Sequence, residues 1–211
     1  MKLLLATANA HKIEEISALL GNLDLEIVSL AAFPDLQMPA ETGAAMRENA
    51  RLKAFHCARE TGLASLADDS GIEVDALSGA PGVRSARWIE GSDEDRTRAL
   101  LDKLKSTPLF GRTSRYRCAI CLAWPLGENL SYDGEVHCEE AEATCEGRIA
   151  NELRGENGFG YDPVFELTNE SGAPEWVGKT MAQVPPEIKA QVSHRARAIE
   201  KIKPVLRELS K

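Results

Sequence analysis

An α/β fold is predicted from three features of this 211-residue chain. An apolar run, an amphipathic helical pattern and a second apolar run follow one another within residues 2–30, which is a strand–helix–strand unit. A long helical stretch at 41–62 then leads straight into another apolar run at 63–67. The composition, 43% hydrophobic and 27% charged, is that of an ordinary globular chain long enough to bury a substantial core.

Each element follows from its local pattern. "KLLLAT" (2–7) reads as a buried strand. In "NAHKIEEISALLGN", Asn9 can cap a helix whose apolar face carries Ile13, Ile16, Leu19 and Leu20, with Gly21 near its stop. "LEIVSL" (25–30) is a second strand. The 41–62 helix takes Thr42 as its cap and Gly62 as its stop, and its face of Ala45, Met46, Asn49, Ala50, Lys53, Ala54, Cys57 and Ala58 permits close packing. "LASLA" (63–67) is a strand that ends in Asp68 and Asp69. "SGAPGVRSARW" (78–88) is loop, and residues 92–105 form a helix with a serine cap. Residues 112–124 and 129–148 read as β, joined near "PLGEN" and extending as a two-stranded ribbon from the main sheet. "NGFGYDPVF" (157–165) is a loop entering a strand. The last helix presents Ile199, Ile202, Val205, Leu206 and Leu209 on its apolar side, with Pro204 bending it or removing one hydrogen bond.

A net charge of -8 argues against nucleic acid as a partner. The apolar runs are too short to span a membrane. The opening "MKLLLATANAHK" reaches Asn9, His11 and Lys12 too soon for a secretory signal, so a cytoplasmic location is expected. The five cysteines, Cys57, Cys118, Cys121, Cys138 and Cys145, are an odd number and read as reduced thiols. "CAIC" (118–121) has the spacing of a metal or redox pair, but on a strand residues three apart face opposite sides. Buried small hydrophobes are the favoured reading there.

Four polar stretches can carry chemistry. "TANAHK" (7–12) joins the first strand and helix, and it combines Thr7, Asn9, helix N–H groups and Lys12. It reads as a phosphate site or as a capped turn. Asp68, Asp69 and Ser70, with Glu41, supply the oxygens a hard cation such as Mg2+ takes, or else form a solvated acidic turn. A carboxylate only loosely held by a metal can take a proton from water. "GENGFGYDP" (155–163) offers glycines for close approach and flat faces from Phe159 and Tyr161. "SHR" (193–195), with Lys189 upstream, opens the last helix, where cations are locally unfavourable. His194 and Arg195 therefore need a separate reason to be there.

Together these stretches resemble the inosine triphosphate pyrophosphatase family. "LATANAHKIEEI" looks like its Thr-x-Asn-x-x-Lys opening, and "ETGAAMRENARLKA" resembles its Glu-Thr-Gly and Glu-Asn-Ala helix. "ADDSGIEVDALSGAPGVRSAR" is close to its signature, and "GFGYDPVF" and "KTMAQVPPEIKAQVSHRARA" follow in register. The resemblance covers nearly the whole chain. It implies one domain over 1–211, built as two lobes about an elongated mixed sheet flanked by helices, with an active-site cleft between the lobes. The ribbon at about 112–148 would belong to the second lobe. It also implies a homodimer and Mg2+-dependent hydrolysis of ITP, dITP and XTP to monophosphate and pyrophosphate, which cleanses the nucleotide pool. Carried over by position, Asp69 matches the proton acceptor and a metal ligand, with Asp68 or Glu41 completing the metal shell. Thr7, Ala8, Asn9, Ala10, His11 and Lys12 match the triphosphate loop, joined by Lys53, and Ser70 matches a substrate contact. Phe159, Gly160, Tyr161 and Asp162 match the nucleotide-binding turn, and Lys189, His194 and Arg195 match contacts near the purine.

The chain departs from that pattern in three places. Ala40–Glu41 stands where the family often has two acids, Lys189–Ala190 where Lys-Asn is common, and Gln183 where an acid often follows Thr-Met-Ala. A different metal-dependent phosphohydrolase is disfavoured because no Asp-x-Asp follows the first strand. A nucleotide-binding module without turnover is disfavoured by the acidic cluster, because carboxylates repel a triphosphate unless a metal intervenes.

Overall fold

The computed structural model describes residues 1–125 and 135–211. The turn expected near 125–129 lies outside the described residues from position 126 onward. Strands β1 (Lys2–Leu5), β2 (Glu26–Ser29), β3 (Ala64–Val74), β4 (Thr113–Pro125), β5 (Val136–Ile149) and β6 (Phe165–Leu167) form one sheet in the order β2-β1-β3-β4-β5-β6. β1 pairs in parallel with β2 and β3, whereas β5 and β6 are antiparallel, so the sheet is mixed. The helices are α1 (Ala10–Leu20), α2 (Met46–Thr61), α3 (Asp93–Lys103), α4 (Pro186–Val192) and α5 (His194–Leu209). The α/β prediction stands. The expected projecting ribbon is corrected: β4 and β5 are interior strands in the sheet order. The reason is visible in β4, where Cys118 through Ala123 form an unbroken buried run, the pattern of a strand covered on both faces.

The chain divides into two compact units. The first comprises Met1–Asp69, Cys118–Glu142 and Ala198–Lys211. In it Leu3, Leu4 and Leu5 are fully buried, as expected for a parallel strand covered on both faces. Asn9 caps α1 by accepting from the Lys12 N–H at 3.2 Å, and Ile16 and Leu20 are its buried residues. α2 starts at Met46 rather than near Thr42, and Thr42 is not its cap. The preceding segment is tied to the helix by two bonds, from Gly43 N–H to Asn49 Oδ1 and from Ala44 N–H to Glu48 Oε2. These side chains satisfy backbone donors just ahead of the helix, and Ala45 between them is extended, at φ -124° and ψ 153°, so the helix begins only after it. Gly62 ends α2 in the left-handed conformation at φ 69°. The buried face of α2 is the small-residue face anticipated, Ala45 excepted.

The second unit comprises Ser70–Arg117 and Ala143–Arg197. Its core includes Ile72, Leu100, Tyr116, Ile149, Phe165 and Met181. α3 opens with a reciprocal capping box between Ser92 and Asp95. Arg112 is almost fully buried and donates to the carbonyls of Thr107, Ala150 and Leu104. The short helix α4, opened by the Pro185–Pro186 pair, was not anticipated. Ser193 Oγ then accepts from Ala196 N–H, which begins α5. Pro204 lies inside α5 on an exposed position, and the helix continues through it.

Gly147 in β5 has no room for a side chain. A Cβ there would lie 2.5 Å from Phe165 Cζ and 2.7 Å from the Glu166 carbonyl oxygen. Gly147→Ala should destabilise the protein by about 1–3 kcal/mol through overpacking, read as a lowered urea midpoint. An unchanged midpoint would show that β6 yields without cost.

Candidate active site

Asp68 and Asp69 are not at a strand end, as the sequence suggested. β3 runs on through them to Val74. Aspartate, serine and glycine are poor strand formers, so "DDSG" looks like a terminus; buried Ile72 and Val74 beyond it hold the strand in the fold. What does end here is the parallel pairing. The last register pair of β1 with β3 is Leu5 with Leu66, and Ala6 N–H donates to the Leu66 carbonyl. The two aspartates follow where β1 has given way to the 7–9 loop. They are buried, at 0% and 6% exposure, and as strand neighbours they face opposite sides.

Within the first unit each carboxylate has its own counterpart. Lys12, in the first turn of α1, places Nζ 3.1 Å from Asp68 Oδ2. Asn49 and Lys53 lie four residues apart and so share one face of α2. Asn49 Nδ2 donates to Asp69 Oδ2 at 2.9 Å, and Lys53 Nζ donates to the Asp68 carbonyl at 2.8 Å and to Glu41 Oε1 at 2.7 Å. The Gly43 N–H occupies the Asn49 carbonyl oxygen, which fixes the amide so that its NH2 faces Asp69. A Cβ on Gly43 would come within 2.7 Å of that oxygen. Burial pushes the Asp69 carboxyl above its ordinary range; Lys53, the Asn49 bond and Lys12 oppose the rise, and Glu41 adds to it. The sequence motifs that contain Asn49 and Gly43 do not by themselves assign either a role. The available signal was a buried-face asparagine one turn before a buried-face lysine.

Thr7 through His11 form the turn before and into α1. Asn9 N–H donates to Thr7 Oγ1, and Ala8, Asn9, Ala10 and His11 are exposed. α1 has no acidic residue in its first turn, so its positive end is left to Asp68 or to an anion.

The second unit gathers the remaining residues. Asp162 is 3% exposed, and its carboxylate accepts from Tyr116 Oη, Phe159 N–H and Lys189 Nζ at 3.1, 3.0 and 2.6 Å. Gly158, at φ 76°, makes this turn possible, since a Cβ would sit 2.1 Å from Asp162 Oδ2. Gly160 N–H donates to Asp93 Oδ2 at the start of α3. Tyr161 is a core residue whose hydroxyl donates to the Ser85 carbonyl, and burial pushes its phenol up to about 12. Phe159 is half-buried and has two cations near its ring, Lys189 Nζ at 5.0 Å and the Arg195 guanidinium at 5.6 Å from the centroid. Arg195, 2% exposed, also donates to Ser70 Oγ at 2.9 Å. His194 stacks on Tyr116 with centroids 4.6 Å apart and planes 8° apart. These contacts give the cations at the start of α5 their separate reason. Gln183 closes a capping box with Thr180, a job an amide oxygen performs as well as a carboxylate.

The profile of the Ham1 family matches residues 3–205. The chain belongs to the Ham1 family. Among its Ham1 relatives, the dITP/XTP pyrophosphatase of Elusimicrobium minutum is 47% identical over 208 residues, covering 96% of this chain and 98% of its own. The solved HAM1 protein of Coxiella burnetii matches with a TM-score of 0.81 at 35% identity, covering 99% of each chain. The Ham1 protein of Staphylococcus aureus gives 0.80 at 34%, covering 98% of each. As in the sequence reading, no helix among the described residues is long and apolar enough to cross a membrane.

A carboxylate whose folded pKa is raised costs stability when ionised. That cost is present above the folded pKa and disappears as pH falls through it, so between the unfolded and folded values acidification stabilises the fold. Asp69→Asn keeps an acceptor for Asn49 and removes the charge. With chelator present, it should melt above the wild type near neutral pH, and the gap should close toward acid pH. A variant that melts below the wild type at neutral pH would contradict the raised pKa.

Proposed function

We propose that this chain hydrolyses dITP, ITP and XTP to the nucleoside monophosphate and pyrophosphate, removing deaminated purines from the nucleotide pool. One observation carries the reading: a buried carboxylate with a raised pKa, Asp69, stands among two lysines and a second acid, in a chain nearly half identical along its length to a dITP/XTP pyrophosphatase. Asp69 is the general base. It accepts a proton from the water that attacks the α-phosphorus, the bond to the bridging oxygen breaks, and pyrophosphate leaves. Asn49 aims the carboxylate. Lys12, Lys53 and the amino end of α1 offset phosphate charge, with Thr7 through His11 as the phosphate loop. Such prearranged charge supplies most of the acceleration in phosphoryl transfer.

Glu41 and Asp69 offer the all-oxygen donor set that suits Mg2+, which keeps several waters and takes one or two carboxylates plus phosphate oxygens. The ammonium of Lys53 already bonds Glu41 and acts on Asp69, so this acidic pair draws a cation. Asp68 is the weaker candidate, because Lys12 engages it and it faces away from Asp69. Glu41, Asp68 and Asp69 do not form a three-ligand cluster among the described residues. Bound there, Mg2+ would neutralise triphosphate charge and polarise phosphate oxygens.

The base falls to the residues of the second unit. Inosine and xanthine carry an acceptor at C6 where adenine carries a donor. Donors from Arg195, His194, Lys189 or the Phe159–Asp162 backbone would be satisfied by the first and left unpaired by the second. A buried unpaired donor costs about 1–3 kcal/mol, or roughly fivefold to over a hundredfold in selectivity. Ser70, which accepts from Arg195, contacts the substrate. The protein works in the cytoplasm as a homodimer on free nucleotides. The net charge of -8 agrees with substrates that are small rather than polymeric nucleic acid.

With Mg2+ present, pyrophosphate should appear from ITP, dITP and XTP and far less from ATP or GTP; orthophosphate, or no product, would overturn the assignment. Asp69→Asn should abolish release from dITP with the fold intact, and near-normal turnover would remove Asp69 as base. Arg195→Ala should lower the preference for ITP over ATP, while unchanged discrimination would place base reading elsewhere.

A further inference from the structure

The C-x-x-C pair does not come together, but another thiol pair does. Cys121 on β4 meets Cys138 and Glu140 on β5, and their two sulfurs and a carboxylate oxygen lie within 4.8 Å of one another. Cys118, buried elsewhere on the strand, contacts the Ala119 carbonyl instead. All three converging residues belong to the first unit and none has a part in the nucleotide chemistry proposed above. We propose that Cys121, Cys138 and Glu140 form a binding site for a thiophilic divalent cation of the Zn2+ class.

The donor set selects such an ion. Two thiolates and one carboxylate suit Zn2+ or Cd2+, whereas Mg2+ takes oxygen alone. Zinc–sulfur bonds of about 2.3 Å put two ligands of a tetrahedral ion roughly 3.8 Å apart, so a modest closure from the observed spacing completes three positions and leaves a fourth for water. Cys121 is fully buried while Cys138 is partly exposed, which gives the ion a buried anchor and a way in. Burial raises the Cys121 thiol well above its ordinary value; the cation displaces that proton and the Cys138 proton to solvent as the sulfurs bind it.

Without an ion, the negative charge at this point is held by arginines. Arg47 bonds Glu140 Oε2, and Arg51 Nη1 lies 3.4 Å from Glu140 Oε1 and 3.6 Å from Cys138 Sγ. Both side chains are more than half exposed, at 64% and 52%, and surface ion pairs of this kind contribute little. They can turn toward solvent when the ion enters. Their charges then remain close enough to balance a site whose three ligands carry one negative charge more than the ion neutralises.

The test titrates Cd2+ into the full chain, freed of metal, with a non-thiol reductant and with Mg2+ in excess. The readout is the thiolate-to-cadmium charge-transfer absorbance. One Cd2+ per chain is expected, with competition by Zn2+. Affinity should fall at least tenfold in Cys138→Ser and in Glu140→Gln and stay unchanged in Cys118→Ala. Cys138 and Glu140 are not fully buried, so these variants stay folded, which the thermal midpoint checks. dITP hydrolysis by Cys138→Ser at saturating Mg2+ should equal that of the wild type. Absence of a saturable band, or the same curve in Cys138→Ser, overturns the site. So does protein that, isolated without reductant, lacks two titratable thiols and regains them on reduction, because that outcome assigns the pair to a disulfide.

Discussion

Two adjacent carboxylates buried within one strand set the terms for the first unit. Ionised groups out of water are costly unless neighbours compensate them. The fold compensates them separately and from separate elements: α1 delivers an ammonium to Asp68, while α2 delivers an amide to Asp69 and an ammonium to the strand backbone. The strand alternation that turns the two aspartates to opposite faces makes this division possible. It also divides their work. Asp68 fixes α1 and the turn before it against the sheet, and Asp69 keeps a raised pKa and a donor oriented by α2. The repulsion expected between neighbouring carboxylates is thus met by lysines already in the chain, before any cation or substrate arrives.

The second unit solves the converse problem of placing cations where a helix disfavours them. Arg195 and His194 open α5, yet both are buried against partners from elsewhere in that unit: a serine hydroxyl and a phenyl ring for one, a tyrosine ring for the other. Asp162 neutralises Lys189 while accepting two further bonds. Asp162 thus gathers a hydroxyl, a backbone amide and an ammonium at one carboxylate, and a buried network of this kind holds one geometry firmly.

Much of this was legible in the chain. The strand–helix–strand opening, the Asn9 cap, the small-residue face of α2 and the Ser92 cap all follow from local pattern, because each is decided within a few residues. The boundaries set by long-range contacts were not legible. β3 outlasts its own propensities because Ile72 and Val74 are buried beyond the aspartates. α2 starts late because Ala45 is extended and the helix's Glu48 and Asn49 reach back to the preceding backbone. β4 and β5 look like a free ribbon until the strands on either side are known. The site residues were legible as a list, since they lie in ordered motifs, but not their division of labour. Nothing in "GFGYDP" says that its tyrosine belongs to the core while its aspartate holds a lysine.

Asn49 gives the site a polarity. A primary amide has one accepting end and one donating end, and here the Gly43 N–H occupies the first. The other end can therefore only give a hydrogen, so the connector transmits in one direction, from the loop before α2 to the carboxylate. Such a connector distinguishes charge states. It rewards the anion of Asp69 and gains less from the neutral acid, whatever burial prefers. An aspartate at position 49 would fill the same volume with the opposite sense, setting another carboxylate against Asp69. The shape of the site would survive such a change, and its electrostatic direction would not.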